Sequence, residues 1–66
     1  MAGFERLRLL AGMTMTDAAK ALNVSVSTVS GWENKGRRPH PNMLKDIATA
    51  YDCSIEDIVN AYEAQN

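Results

Sequence analysis

The feature that most constrains the fold is a three-residue break between two helical segments. Apolar residues repeat at helical spacing over residues 15–22 and again over residues 26–34. Between them, Asn23 favours the left-handed conformation that closes a helix, and Ser25 is a preferred N-cap for the helix that follows. The sequence therefore predicts two helices joined by a tight turn.

Three further helices are predicted from similar start and stop signals. Gly12 ends a first helix, Pro41 suits the first turn of a fourth, and Ser54 with Asp57 has the spacing of a capping box that opens a fifth. Thr14 and Asp17 repeat that spacing before the second helix. No segment alternates with the period of a strand, so the predicted fold is all-α. It has five helices, at about 3–11, 15–22, 26–34, 41–51 and 55–63.

The helical spacing also predicts which side chains face the core. In the first helix these are Phe4, Leu7, Leu10 and Ala11, with Glu5, Arg6 and Arg8 mostly outward. In the third, Val29 and Trp32 face inward, and Trp32 is expected to be a core anchor. The fourth helix presents Leu44, Ile47, Ala48 and Tyr51 to the core. The fifth is expected to bury Ile55, Ile58, Val59 and Tyr62.

Length and composition limit the classes of protein to consider. Sixty-six residues predict a single domain, 1–66, with a small core. Cys53 is the one cysteine, which excludes an internal disulfide. No Cys/His set has the spacing of a metal site, and no cofactor is predicted. No apolar run approaches the roughly 18 residues of a membrane span, and there is no secretion signal, so a cytoplasmic location is expected.

Charge is distributed unevenly along the chain. The net charge is −1, but residues 1–45 carry all seven Lys and Arg and a balance of +4, whereas residues 46–66 carry five acids and no Lys or Arg. Because local potential steers association more than the total charge does, the first part of the chain can still be attracted to phosphates.

The stretch from Gly12 to Asn34 resembles the lambda-repressor-like, Cro-type helix-turn-helix family. The resemblance continues through Lys35-Gly36-Arg37-Arg38-Pro39, the pattern from Leu44 to Tyr51 and the ending from Cys53 to Ile58. It covers nearly the whole chain, from Phe4 to about Val59. It implies a sequence-specific regulator of transcription, a repressor, that inserts the helix at about 26–34 into the major groove of double-stranded DNA.

The resemblance also implies roles for individual residues. The positions that match the family's base-contacting residues, with their neighbours, are Val26, Ser27, Thr28, Ser30 and Gly31. Phosphate contacts are expected from residues around that helix, namely Thr14, Ser25, Asn34, Lys35, Arg37 and Arg38. Arg8 and Glu33 match a structural ion pair that would fix the angle of the helix. Two positions depart from the family: Met15 replaces a common Gln, and Gly31 has no side chain where a base is often contacted.

The sequence is compatible with two classes of function and gives almost no support to a third. The first is a repressor that binds a near-palindrome as a homodimer, either preformed or formed only on DNA, with helix 5 as the expected contact and half-sites about 34 Å apart. The second is a protein-interaction module on the same fold, such as an antirepressor or docking domain. An enzyme is not expected, because no catalytic arrangement of side chains occurs and His40 lies alone between two prolines. No small-molecule ligand and no membrane partner are predicted.

Overall fold

The computed structural model describes the backbone of residues 3–65 and the side chains of residues 3–61. Within that range the chain is all-α and forms no strand, as predicted. The helices are α1 (Gly3–Leu10), α2 (Met15–Leu22), α3 (Val26–Asn34), α4 (Leu44–Ala50) and α5 (Ile55–Gln65), and a short 3₁₀ helix (Pro41–Met43) precedes α4. The predicted bounds of α2 and α3 are confirmed.

The helix ends are built by the residues that signalled them. The Thr14 hydroxyl accepts a hydrogen bond from Asp17 N–H while the Asp17 carboxylate accepts one from Thr14 N–H, both at 3.0 Å. Ser54 and Asp57 form the same reciprocal pair before α5. Gly12 (φ 75°) and Asn23 (φ 57°) adopt the left-handed conformation after α1 and α2. These local bonds satisfy backbone groups that helix ends leave unpaired, and so they set the short connections.

The region before α4 differs from the single helix predicted over 41–51. Pro41 has no N–H to donate, and the first bond of this segment is the tighter contact from Met43 N–H to His40 O, at 2.8 Å. The regular α-helix therefore begins only at Leu44. The last helix, α5, extends two residues beyond its predicted end at residue 63, to Gln65.

The core lies where all five helices meet. Its largest fully buried side chains are Phe4, Val29, Ile47 and Ile58, and the rings of Phe4 and Trp32 lie 6.1 Å apart. The backbones of α1 and α5 approach each other closely, because a Cβ added at Gly3 would lie 2.6 Å from Ala61 Cα. The first helix is thus clamped against the fifth, and α2 packs against α3.

Two predictions about buried faces are wrong. On α5, Ile58 and Ala61 are buried, whereas Ile55 and Val59 remain 47% and 40% exposed because the core covers only a narrow stripe of this helix. The side chain of Tyr62, also predicted to be buried, lies outside the described residues. On α1, Leu10 is 73% exposed at the last position of the helix, and Arg8, predicted from the spacing to lie outward, is buried.

Candidate nucleic-acid interface

The position of α3 is fixed by its start and by its inner face. Ser25 caps the helix, because its hydroxyl accepts a hydrogen bond from Thr28 N–H at 3.1 Å. Val29 and Trp32 bury the inner face in the core. At the preceding turn, Val24 N–H donates to Ala19 O at 3.0 Å, which ties the start of α3 to the end of α2.

A buried ion pair joins α3 to α1. Arg8 Nε donates to Glu33 Oε2 at 2.8 Å and Arg8 Nη2 donates to Glu33 Oε1 at 3.1 Å, with the two residues only 6% and 5% exposed. The third arm of the guanidinium, Nη1, donates to Met13 O at 2.8 Å. The hydrogen bond to Glu33 raises the pKa of Arg8 above its ordinary value. This two-pronged contact restricts the rotation of α3 relative to α1.

Tyr51 lies beside this pair and interacts electrostatically with the charges of both Arg8 and Glu33. Its hydroxyl is buried and has no hydrogen-bond partner among the described residues. Burial, together with the negative charge of Glu33, raises the pKa of Tyr51 to about 12. Helical spacing does not reveal this contact, since it predicts Tyr51 only as an apolar core residue.

The outer face of α3 is uncharged and largely open. Val26 is 43% exposed, Ser27 is exposed beside it, and Thr28 and Ser30 are half-buried. Two of these hydroxyls already have intramolecular contacts: Thr28 Oγ1 lies 2.9 Å from Ser25 Oγ, and Ser30 Oγ accepts from Asn34 Nδ2 at 3.2 Å. Val26 and Ser27 are therefore the most available side chains of this face.

Gly31 is not exposed, although it is one of the positions predicted to contact bases. It is buried, and a Cβ at this position would lie 3.1 Å from Arg37 Cδ. The methylene groups of Arg37 therefore pack against α3 at Gly31, where the helix has no side chain. This coverage was not foreseeable from helical spacing, because the covering residue comes from the loop after the helix.

That loop carries the cationic residues expected to contact phosphates. Lys35, Arg37 and Arg38 are exposed, while Pro39 is buried and anchors the far side of the loop. Lys35 N–H and Arg37 N–H both donate to Gly31 O, at 3.1 and 3.2 Å. Gly36 makes the reversal between them with a φ of 65°. The structure thus brings the cationic loop against the C-terminal half of α3.

The N-termini of α2 and α3 differ in charge. Asp17 lies in the first turn of α2, and its hydrogen bonds with the Thr14 backbone and side chain lower its pKa. The first turn of α3, next to Ser25, contains no acid. An anion at α3 thus meets free partial positive charge, whereas an anion at α2 also meets a carboxylate.

Comparison with known proteins decides the family. The sequence profile of the helix-turn-helix family matches residues 4–58. The chain belongs to this family, and its type is that of the lambda repressor and Cro. Searches of the curated proteins and of the solved structures gave no match. The protein is a DNA-binding helix-turn-helix regulator, from a family that is not typically enzymatic.

In this helix-turn-helix protein, α2 and α3 with residues 23–25 between them are the motif that names the family.

A cavity of about 430 Å³ lies between α1, the end of α4 and the start of α5, and neither α3 nor the cationic loop lines it. Within the described residues, no group of three His, Cys, Asp or Glu is placed to hold a metal ion. In the same part of the chain, no helix is long and apolar enough to cross a membrane.

Proposed function

We propose that the protein is a sequence-specific transcriptional repressor that binds a near-palindromic duplex as a homodimer, with α3 in the major groove. The observation that carries the proposal is the surface of α3. Its outer face is exposed and uncharged at Val26 and Ser27, and the cationic loop follows at its other end. An uncharged face can enter a groove while neighbouring cations bind the phosphates on either side.

The base contacts are assigned to the N-terminal half of α3. Val26 offers a methyl surface that suits the thymine methyl group, and the Ser27 hydroxyl can donate to or accept from several base edges. Thr28 and Ser30, which are half-buried and already hydrogen-bonded, are assigned secondary contacts. The set of base contacts is small, so DNA shape also contributes to the selection of the site.

The phosphate contacts are assigned to residues that flank α3. Ser25 stands at a helix N-terminus without an acid, which favours a phosphate there over one at Thr14. Asn34, Lys35 and Arg38 are exposed at the other end of the helix. Each phosphate neutralised by a cation adds about −0.9 to the slope of log K against log salt.

The contact between the two copies of the homodimer is assigned to the exposed apolar residues of α5, Ile55 and Val59. Burying them against a second copy would remove their apolar surface from water. Each domain measures 25 × 22 × 22 Å, so two copies fit without overlap on half-sites about 34 Å apart.

The decisive experiment is selection of bound sequences from a random duplex pool at two salt concentrations. We expect a two-fold symmetric motif, and we expect Val26→Ala and Ser27→Ala to change its letters. Lys45→Ala, which removes an exposed cation from α4, is the matched control and should leave the motif unchanged. If no motif emerges at either salt concentration, sequence-specific binding is refuted and an interaction module becomes the better account.

Phosphate binding and repression have separate tests. Lys35→Ala combined with Arg38→Ala should reduce the salt slope by about 0.9 for each phosphate that the variant leaves without its cation, and it should not alter the motif. A reporter whose promoter overlaps the selected site should lose expression when the protein is present. A rise in expression would contradict the repressor assignment while leaving DNA binding intact.

A further inference from the structure

The burial of Gly31 is unexpected for its place on α3. It follows Ser27 by four residues, so it lies about 40° around the helix axis and about 6 Å along it from that exposed residue. Gly31 therefore belongs to the outer face, yet it is buried. The atoms nearest to its absent side chain are Cδ, Cγ and Cβ of Arg37, at 3.1, 3.8 and 3.9 Å from an ideal Cβ.

The position of Arg37 is held by the backbone on both sides. Its own N–H donates to Gly31 O at 3.2 Å, and two residues later Pro39 is buried. The methylene groups of Arg37 lie on the glycine, while the residue as a whole is exposed. Its side chain forms no ion pair or hydrogen bond within the described part of the chain, so the guanidinium keeps its donors for another molecule.

We propose that Arg37 is a specificity-determining residue, which contacts a guanine base through the gap that Gly31 leaves in α3. This inference rests on the proposed function and reassigns Arg37 from the phosphate contacts to the base contacts. In this proposal the methylene groups cover Gly31, where they lie 3.1 to 3.9 Å from an ideal Cβ, and the guanidinium reaches the groove beside the bases that Val26 and Ser27 contact.

The chemistry of the guanidinium identifies the base. Its planar pair of N–H donors matches the two acceptors that guanine presents in the major groove, O6 and N7. A phosphate contact by the same residue would add affinity for every duplex. A bidentate guanine contact instead adds discrimination at one base pair, of roughly 5- to 150-fold.

The test compares motifs selected from a random duplex pool by the wild type and three variants. The wild type should select a guanine in each half-site, next to the letters that depend on Ser27. The motif selected by Arg37→Ala should lack that guanine and keep its other base preferences. Arg38→Ala, the matched control, should keep the guanine and bind all duplexes more weakly.

Gly31→Ala tests the glycine itself. The added methyl would meet Arg37 Cδ at 3.1 Å, so the flexible side chain must move, while alanine favours the helix more than glycine does. We expect weaker discrimination at the same guanine, with a Tm equal to or above that of the wild type. If Gly31→Ala has a lower Tm and still selects the guanine, Gly31 has only a packing role, and the proposed role of Gly31 in guanine recognition is wrong.

The remaining outcomes separate this inference from the proposed function. If the wild type selects a motif that Arg37→Ala leaves unchanged, only the role of Arg37 is refuted. If Arg37→Ala weakens all duplexes equally and lowers the salt slope, Arg37 is a phosphate contact and the inference is wrong. If the wild type selects no motif, the proposed function and the inference fail together.

Discussion

Removing the charge of Glu33 should remove a large share of the stability of this domain. In Glu33→Gln the shape of the side chain is kept, but Arg8 loses its buried ionic partner while remaining 6% exposed, and of its two ionic contacts only the longer one, with the partly exposed Glu5, is left. A buried charge without a partner is much more costly than the loss of one hydrogen bond, because the charge has already been withdrawn from water.

The size of the effect follows from the burial of both partners. Breaking a buried ion pair by removing one member costs about 3–5 kcal/mol. A domain of this length has a total stability of about 3–10 kcal/mol. Arg8→Met should cost at least as much as Glu33→Gln, because it also removes the donor to Met13 O. We therefore expect both single variants to be marginally folded at 25 °C.

Replacing both partners should be far less harmful. In Arg8→Met combined with Glu33→Leu, no buried charge remains, and apolar side chains fill the space at little or no net cost. The carbonyl of Met13 still loses its donor, for about 1 kcal/mol. The double variant should accordingly be more stable than either single variant.

Urea unfolding, followed by the fluorescence of the buried Trp32 and by far-UV circular dichroism, measures these differences. Glu5→Gln is the matched control, since Glu5 Oε2 lies 3.9 Å from Arg8 Nη2 and is partly exposed. It should change the free energy of unfolding by less than about 1 kcal/mol. The reasoning is refuted if Glu33→Gln costs no more than Glu5→Gln, or if the double variant is the least stable of the set.

Three other variants test separate features of the structure. Tyr51→Phe should be neutral or stabilising by up to about 1 kcal/mol at pH 7, because it removes a buried hydroxyl without a partner. Since the pKa of Tyr51 is raised to about 12, the wild type should lose stability between about pH 10 and that pKa, and calorimetry should show a smaller loss for Tyr51→Phe. Gly3→Ala should cost about 1–3 kcal/mol in urea unfolding, because its Cβ would lie 2.6 Å from Ala61 Cα; an unchanged midpoint would contradict the tight approach of α1 to α5. Asp17 has a lowered pKa, so its capping contribution to stability is present above about pH 3.9 and is lost as the pH falls through the folded-state pKa. In Asp17→Asn the Tm should therefore fall less steeply with decreasing pH, and an acid dependence of the Tm identical to that of the wild type would exclude this contribution.

The fold was largely predictable because its signals are local. Thr14 with Asp17 and Ser54 with Asp57 act within one helical turn, and Gly12 and Asn23 act through their own backbone conformations. Such signals need no knowledge of the rest of the chain.

The site was less predictable because its details depend on contacts between distant segments. The burial of Gly31 requires a loop that folds back over α3, and the buried Tyr51 hydroxyl requires α4 to pack beside Arg8 and Glu33. The exposure of Ile55 and Val59 likewise depends on how narrow a stripe of α5 the other helices cover. Periodicity identifies an apolar face, but the surrounding helices decide how much of it is used.

The loop that returns to α3 makes the proposed recognition surface discontinuous in sequence. Gly31 O holds the backbone at Lys35 and Arg37, so the helix and the loop behave as one structural unit. Transplanting only residues 26–34 into a related scaffold would carry over the helix without the arginine that lies on it. A graft that keeps the local geometry must begin at the capping Ser25 and extend to the buried Pro39, which makes residues 25–39 the smallest portable unit of this surface.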